Sequence, residues 1–170
     1  MTSTTPTVVF QPLHDDVIVP SRSTEESAGY DVRAYINGRT VKLRRSTEQE
    51  VSEVTVTGGK LILEPGDTAL VPTGFKAQVP AGYEAQVRIR SSMAFKRGIS
   101  LPNAPGTIDS DYPDEWLIMI RNHSQGDVTL QHGERIAQVV LSRFTVLDWQ
   151  VGEVGIMTDR KGGFGSTGEI

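Results

Sequence analysis

Strict alternation of apolar and polar residues is the feature that most constrains what this chain can fold into. Across residues 84–90 every second side chain is apolar, which is the period of a strand with one buried face. Short apolar runs, separated by Gly, Pro and Asp, recur at residues 68–71, 116–120 and 136–141. Short strands at this spacing predict an all-β fold, either a barrel or a sandwich.

Glycine-containing turns and one capping signal refine this prediction. Gly58 and Gly59 separate two apolar stretches and predict a hairpin, and residues 37–39 (Asn-Gly-Arg) are a weaker signal of the same kind. Helices are expected at two places at most. Residues 91–96 could form a turn and a half, whereas residues 46–54 begin with a capping box but have little apolar face.

The bulk composition is typical of an intracellular globular protein. The chain has 170 residues, enough for one domain with a real core, and no apolar run approaches the ~20 residues of a membrane span. Residues 1–7 show no secretory signal, and the absence of cysteine excludes disulfides, so we expect a single-domain cytoplasmic protein that binds no membrane. The net charge of -4 argues against nucleic-acid binding, but not against a small nucleotide in a basic pocket.

The last residues, 162–170, are rich in glycine and hydroxyl side chains. Glycine leaves backbone N–H groups free to approach an anion, Ser166 and Thr167 add donors, and Arg160 and Lys161 supply positive charge. The segment would then be a mobile strap that closes over a phosphorylated ligand. The alternative is a frayed chain end, and the tail alone does not decide between the two.

A turn rich in acidic residues, 105–113, lies between two apolar runs and carries Asp109, Asp111 and Tyr112. A carboxylate held in such a turn can orient and deprotonate a water molecule. An ordinary Asp-rich turn is the alternative, and taken locally it is the better supported one.

Two further places have the chemistry of an anion site. Arg90, Ser91 and Ser92 stand where a strand gives way to a short helix, so that N–H groups, hydroxyls and a guanidinium meet there. Ser91 could equally be a helix cap. Gln138 interrupts an apolar run, and it is either a strand residue that faces water or a buried amide that meets a polar ligand.

Five short segments occur in a fixed order along the chain: Ala28-Gly29-Tyr30-Asp31, Arg90-Ser91-Ser92, residues 106–112, Arg135-Ile136-Ala137-Gln138, and residues 163–168. Together they resemble the five ordered motifs of the trimeric dUTP pyrophosphatases (dUTPases). The resemblance extends from about Val8 to Gly168, apart from one insert. Each motif alone is a weak signal, and the order of all five makes the resemblance specific.

The resemblance implies a fold and a reaction. The fold is an all-β barrel or jelly roll with a glycine-rich C-terminal arm, in a homotrimer whose tails reach neighbouring subunits. The reaction is hydrolysis of dUTP to dUMP and pyrophosphate with Mg²⁺, which limits uracil incorporation into DNA and supplies dUMP for thymidylate synthesis. Asp109 would be the general base that activates water for attack on the α-phosphorus. Asp31 would hold a water on the Mg²⁺ that the triphosphate chelates.

The resemblance also implies a set of substrate contacts. Phosphate contacts are expected from Arg90, Ser91, Ser92 and Gln138, and in the tail from Arg160, Gly165 and Ser166. The hairpin that reads uracil would carry Asn103, Thr107 and Ile108, Tyr112 would pack under the deoxyribose, and Phe164 would stack over uracil.

The turn that carries Tyr112 departs from the family pattern. Pro113, Asp114 and Glu115 stand where the family usually has Arg-Gly-Glu. Pro113 favours an extended Tyr112. If the family's glycine adopts a left-handed conformation, Asp114 would adopt it at some cost.

The tail and the link between the first two motifs also depart from the family pattern. The family's tail arginine stands five residues before the phenylalanine, whereas Asp159 holds that place here and Arg160 is one residue closer. Residues 35–59 form a longer link than the family usually has. We interpret them as an inserted surface hairpin or arm that catalysis does not require, and where a protein partner could bind.

Two other functions are compatible with parts of this pattern. dCTP deaminase resembles the family in fold and phosphate motif, but it needs a glutamate about ten residues beyond Asp109, and that position falls near Met119 in a run without acids. A binding or regulatory protein that kept the fold and lost catalysis is disfavoured as the sole role by Asp31, Asp109 and the tail. A second, partner-binding role stays open.

Overall fold

Antiparallel strands dominate the backbone in the computed structural model, which describes residues 5–155 and 157–159. One short helix accompanies the strands in the described residues. The predicted all-β fold with at most one or two short helices is therefore confirmed. The elements are β1 (Val9–Pro12), β2 (Ser21–Arg22), β3 (Tyr30–Arg33), β4 (Thr40–Arg44), β5 (Ser52–Thr55), β6 (Lys60–Leu63), β7 (Thr68–Pro72), β8 (Phe75–Gln78), β9 (Tyr83–Ile89), α1 (Ser91–Arg97), β10 (Ile99–Ser100), β11 (Gly106–Ile108), β12 (Leu117–Asn122), β13 (Val128–Gln131) and β14 (Arg135–Arg143).

Two five-stranded antiparallel sheets hold most of these strands. Their orders are β10-β12-β7-β4-β5 and β11-β9-β14-β3-β2. The remaining strands form two-stranded sheets, β1 with β8 and β6 with β13. The strand with the strictest alternation, β9, lies inside the second sheet between β11 and β14, so both of its edges are paired.

One cluster of buried apolar side chains draws on both large sheets. In β9, Ala85 and Val87 are buried while Arg88 is exposed, which is the predicted alternation. In the other sheet Val71 and Ile118 pair across β7 and β12 and are both buried. Because the apolar faces are buried in this cluster, the polar faces and the ends of the strands remain available for chemistry.

Residues 35–59 contribute to this core. β4 and β5 form an antiparallel hairpin, and β4 also pairs with β7 of the sheet. Val41 and Leu43 of β4 are 0% exposed, and Val56, just after β5, is 2% exposed. The expectation that this segment lies only on the surface is wrong, because its alternating apolar residues complete one edge of a sheet and bury one face.

A buried carboxylate ties the same segment to the body of the protein. Asp67 is 1% exposed and accepts hydrogen bonds from Arg45 Nη1 at 2.7 Å and from the backbone N–H groups of Ser46 at 3.0 Å and Glu64 at 2.9 Å. A charge can be buried at low cost only when it is paired in this way. The connection between β4 and β5 is thus anchored from within.

Both hairpin predictions are wrong, although the turns are present, and of the two places that could be helical only the first is. Gly58 and Gly59 have φ of 67° and 69°, which suits a hairpin turn, yet they connect β5 to β6, and β6 pairs with β13. The turn at residues 37–39 likewise leads into β4, whose partners are β5 and β7. Residues 46–54 contain the start of β5 and no helix. Strand pairing follows the burial of alternate side chains, which a local turn signal does not encode.

Candidate active site

The start of α1 brings together the residues predicted to bind an anion. Residues 91–96 were predicted to be helical, and α1 extends over Ser91–Arg97. Arg90 is the N-cap, with an extended backbone at φ -72° and ψ 139°, and no side chain caps the helix. Ser91 is therefore the first helical residue and not the cap. The first N–H groups of a helix have no partner inside it, so Ser91 and Ser92 present donors beside the Arg90 guanidinium.

Asp31 lies between two guanidinium groups. Its Oδ1 is 3.1 Å from Arg90 Nε, and its Oδ2 accepts a hydrogen bond from Arg135 Nη1 at 2.8 Å. Ser23 Oγ donates to Oδ2 from 3.4 Å. The Asp31 side chain is only 13% exposed. Arg90 and Asp31 are thus neighbours in space, although 59 positions separate them in the sequence.

Gln138 joins this group through strand pairing. It lies in β14 directly opposite Asp31 of β3 on one side and Arg88 of β9 on the other. Gly29 makes room for its side chain, because a Cβ at Gly29 would lie 2.1 Å from Gln138 Oε1. The sequence left open whether Gln138 faces water or is a buried amide. In the structure it is half-buried, and its amide packs against Gly29 of the first motif. Asp31, Arg90 and Gln138 form what we call the phosphate cluster, together with Ser91 and Ser92.

A second group surrounds the connection between β10 and β11, before Asp109. The resemblance implied a hairpin here, but β10 pairs with β12 and β11 pairs with β9. Asn103, Thr107 and Ile108 line a pocket of about 50 Å³, whose far wall is formed by Leu117, Ile118 and Met119 of β12. Gly106 permits close packing there, since an added Cβ would lie 3.3 Å from Asn103 Nδ2 and from Val87 Cβ. These residues form the hairpin pocket.

Asp109 and Tyr112 lie on the turn that leaves the hairpin pocket. Asp109 is exposed and directly follows β11, and its backbone carbonyl accepts a hydrogen bond from the Tyr112 N–H at 3.2 Å. Tyr112 is 39% exposed, and its hydroxyl donates to the Glu115 carbonyl at 3.3 Å. Asp114 does not have a positive φ, so the turn is formed without the left-handed residue considered above.

The phosphate cluster and Asp109 lie at opposite ends of one strand. Ile108 pairs with Ala85 near the start of β9, so Asp109 falls beside Glu84, whereas Arg90 follows the end of the same strand. Six residues of strand correspond to ~20 Å. The Arg90 side chain also points away from β11, because it contacts Asp31 and the Arg135 carbonyl. Within one chain, Asp109 is not placed beside the phosphate cluster.

The predicted contacts of Arg160, Phe164, Gly165 and Ser166 lie outside the described residues. Among residues 5–155 and 157–159 there is no group of three or more metal-ligating side chains, and no helix is long and apolar enough to cross a membrane. Asp31 offers a single carboxylate. That donor set suits a hydrated Mg²⁺ held mainly by phosphate oxygens, since Mg²⁺ keeps several waters and takes one or two carboxylates.

Arg135 and Glu115 have structural roles that the sequence did not reveal. Arg135 is the second cation on Asp31, placed there by a shift of register between Arg135 and Ala137 in β14. Arg135 opens the fourth motif, but only the pairing of β14 with β3 brings it to Asp31. Glu115 has its own ion pair with Arg39 at 2.6 Å.

Comparisons with known proteins agree with the motif order. The dUTPase family model matches residues 56–168. A deoxyuridine 5'-triphosphate nucleotidohydrolase of Leptospira interrogans is 35% identical over 163 residues, covering 95% of this chain and 98% of the relative. A protein of the same name from Maricaulis maris is 37% identical over 169 residues, covering 98% of each chain. The dUTPase of Staphylococcus bacteriophage 80alpha, solved with dUPNHPP, has a TM-score of 0.74 at 23% identity, covering 96% of this chain and 99% of that one, and so shares its fold.

Proposed function

The chain belongs to the dUTPase family, and we propose that it hydrolyses dUTP to dUMP and pyrophosphate. The observation that carries the proposal is the exposed Asp109 carboxylate, which directly follows Thr107 and Ile108 of the pocket that these two residues line with Asn103. Relatives that this chain matches over nearly its whole length are named for the same reaction. By this reaction the protein would limit uracil incorporation into DNA and supply dUMP for thymidylate synthesis.

Asp109 acts as the general base in this proposal. Its carboxylate accepts a proton from a water molecule, the oxygen of that water attacks the α-phosphorus, and pyrophosphate leaves. A base of this kind must lie within hydrogen-bond distance of the water that it deprotonates, and Asp109 is exposed at the start of its turn, where substrate can reach it. Asp111, two residues further along, shapes the turn and does not accept the proton.

The hairpin pocket and Tyr112 select the nucleoside. Asn103 would pair with the uracil edge, and the walls of the pocket around Thr107 and Ile108 would exclude the methyl group of thymine. Tyr112 would pack under the deoxyribose and reject a ribose hydroxyl, and its ring is exposed enough to meet a ligand.

The phosphate cluster holds the triphosphate. Arg90 supplies a guanidinium, Ser91 and Ser92 supply N–H and hydroxyl donors, and Gln138 supplies an amide. Asp31 would bind Mg²⁺ through water while the triphosphate provides the inner ligands. The ion would neutralise charge on the triphosphate when bound. Arg135, as the second cation on Asp31, would hold that carboxylate in a fixed orientation.

We further propose that each active site is shared between subunits of a homotrimer. The supporting geometry is the separation of about 20 Å between Asp109 and Arg90 along β9. Reacting groups must meet within a few ångströms, so Asp109 of one subunit would act on a triphosphate held by the phosphate cluster of another. The tail, with Arg160, Phe164, Gly165 and Ser166, would close over such a shared site.

Pyrophosphate release from a panel of deoxynucleoside triphosphates tests the function. We expect release from dUTP with Mg²⁺ and at least a hundredfold slower release from dTTP and dCTP, because a site that hydrogen-bonds the uracil edge leaves polar groups unpaired or crowded with either other base. Ammonia release from dCTP would favour the deaminase. Tight dUTP binding without pyrophosphate release would favour a regulatory protein that has lost catalysis.

A further inference from the structure

Glu115 is the fixed end of the turn that carries Asp109 and Tyr112. Its side chain is 15% exposed, and its carboxylate accepts a hydrogen bond from the Gly74 N–H at 2.7 Å. The next residue, Trp116, is buried, and its backbone N–H donates to the Phe75 carbonyl at 3.1 Å. The opposite end of the turn is held by the pairing of β11 with β9. Residues 109–114 are therefore an exposed turn between two anchors.

The counter-charge of Glu115 comes from the segment 35–59. Arg39 Nη2 lies 2.6 Å from Glu115 Oε2, and Arg39 Nη1 lies 3.3 Å from Oε1. This is the two-point geometry of a guanidinium on a carboxylate, which fixes orientation as well as charge. Among residues 5–155 and 157–159 Arg39 is the one cation paired with Glu115. A half-buried carboxylate that loses such a partner becomes an uncompensated charge.

Arg39 is itself held rigidly at the base of the β4–β5 hairpin. Its backbone carbonyl accepts a hydrogen bond from the Val56 N–H at 2.9 Å, and its own N–H donates to the Ile36 carbonyl at 3.0 Å. Its Nη1 is also 3.1 Å from His14 Nε2, which must accept because a guanidinium only donates. A displacement of the hairpin would therefore displace the Arg39 guanidinium, and with it the Glu115 side chain.

We propose that Arg39 is a positioning residue for the catalytic turn, and that the β4–β5 hairpin thereby acts on catalysis through the Arg39–Glu115 pair. Arg39 contacts neither Asp109 nor Tyr112. It fixes Glu115, whose backbone carbonyl receives the Tyr112 hydroxyl, and so limits the positions that the turn can adopt. This inference rests on the proposed dUTP hydrolysis.

The test compares four variants with the wild-type protein by steady-state kinetics on dUTP. Arg39→Gln leaves Glu115 without its cation. Arg39→Lys keeps the positive charge but cannot make the two-point contact of a guanidinium. The double variant, Arg39→Gln with Glu115→Gln, removes both charges and restores a neutral pair. Arg44→Gln is the matched control, since Arg44 is an exposed arginine of the same hairpin. We expect Arg39→Gln to lower kcat about tenfold with KM within about twofold, because a displaced turn misplaces the base more than it weakens binding. The kcat of Arg39→Lys should lie between those of wild type and Arg39→Gln. The double variant should recover a kcat within about threefold of wild type. Arg44→Gln should have the kcat and KM of wild type.

Two kinetic outcomes would overturn the proposal. One is wild-type kcat in Arg39→Gln. The other is a double variant as slow as Arg39→Gln, which would mean that the loss does not act through Glu115. If Arg39→Gln does not fold, the comparison of Arg39→Lys with the double variant decides in the same way.

A second readout separates this inference from the proposed function. The chain has two tryptophans, and in a Trp149→Phe background the emission comes from Trp116, the neighbour of Glu115. Arg39→Gln should shift this emission and the double variant should restore it, whether or not dUTP is hydrolysed. An inactive wild-type protein would contradict the proposed function alone, whereas an unchanged Trp116 emission in Arg39→Gln would contradict the role of Arg39.

Discussion

At the scale of single residues, the sharpest prediction concerns Asp109→Asn. The change is nearly isosteric, so the turn should persist, but an amide cannot accept the proton from water. We expect single-turnover hydrolysis of dUTP to fall about 10²–10⁴-fold. Binding of a non-hydrolysable analogue should stay similar or tighten slightly, because a negative charge near the phosphates is removed.

Asp111→Asn is the matched control for that variant. Asp111 is an exposed acidic residue of the same turn, two positions from Asp109. Its hydrolysis rate should remain within about threefold of wild type if it only shapes the turn. Near-wild-type hydrolysis by Asp109→Asn would refute the assignment of the base.

A second prediction at this scale concerns Gly29→Ala. The added Cβ would lie 2.1 Å from Gln138 Oε1 and 2.9 Å from its Cδ, so the amide must move away. If Gln138 holds phosphate in both the ground state and the transition state, KM for dUTP should rise about tenfold with little change in kcat. Gly126→Ala is the control, because a Cβ there meets nothing within 4 Å. An unchanged KM in Gly29→Ala would argue against a phosphate contact by Gln138.

Residue types predicted candidate chemistry, but not which candidates meet. Asp31, Arg90 and Gln138 come from three separate motifs, and only the pairing of β14 with β3 and β9 brings them together. Arg135 and Arg39 were not predicted to act on Asp31 and Glu115, because each pair joins residues far apart in the sequence. Such contacts depend on tertiary pairing, which a local pattern of charges does not specify.

At the scale of elements, the hairpin of β4 and β5 allows a clear stability prediction. Leu43 is 0% exposed within the core, so Leu43→Ala should lower the free energy of unfolding by about 2–5 kcal/mol. Lys42, its exposed neighbour on the opposite face, provides the control. Lys42→Ala should change the free energy of unfolding by no more than about 0.5 kcal/mol. Urea unfolding at one fixed protein concentration measures both. Equal effects of the two substitutions would mean that the hairpin does not belong to the core.

Strands were predictable from alternation, whereas their partners were not. The alternation of residues 84–90 identified β9, and the short apolar runs identified β7, β12 and β14, because burial of one face imposes a period of two on the sequence. Gly58 and Gly59 suggested the wrong partner for β6, since a turn with positive φ can also lead from one sheet into another. The capping box at Ser46 failed for a related reason: Ser46 donates its N–H to buried Asp67, so tertiary anchoring prevails over local helix propensity.

At the scale of the whole molecule, the proposed shared site makes a quantitative prediction for mixed trimers. Asp109→Asn and Arg90→Gln should each be nearly inactive as homotrimers, one for lack of the base and the other for lack of a phosphate ligand. If Asp109 and Arg90 of one site come from different subunits, a mixed trimer contains some sites with both native residues. Random assembly of an equal mixture leaves about a quarter of the sites native.

Co-refolding the two variants in equal amounts and measuring pyrophosphate release from dUTP tests this arrangement. About a quarter of the wild-type rate is expected, and light scattering should give three times the chain mass of 18.6 kDa. A site formed within one chain could never regain both residues by mixing, so a rate no higher than the average of the two homotrimers would contradict the shared site. The ~20 Å of β9 between Asp109 and Arg90 is the reason to expect recovery, because no side-chain rotation within one subunit spans that distance.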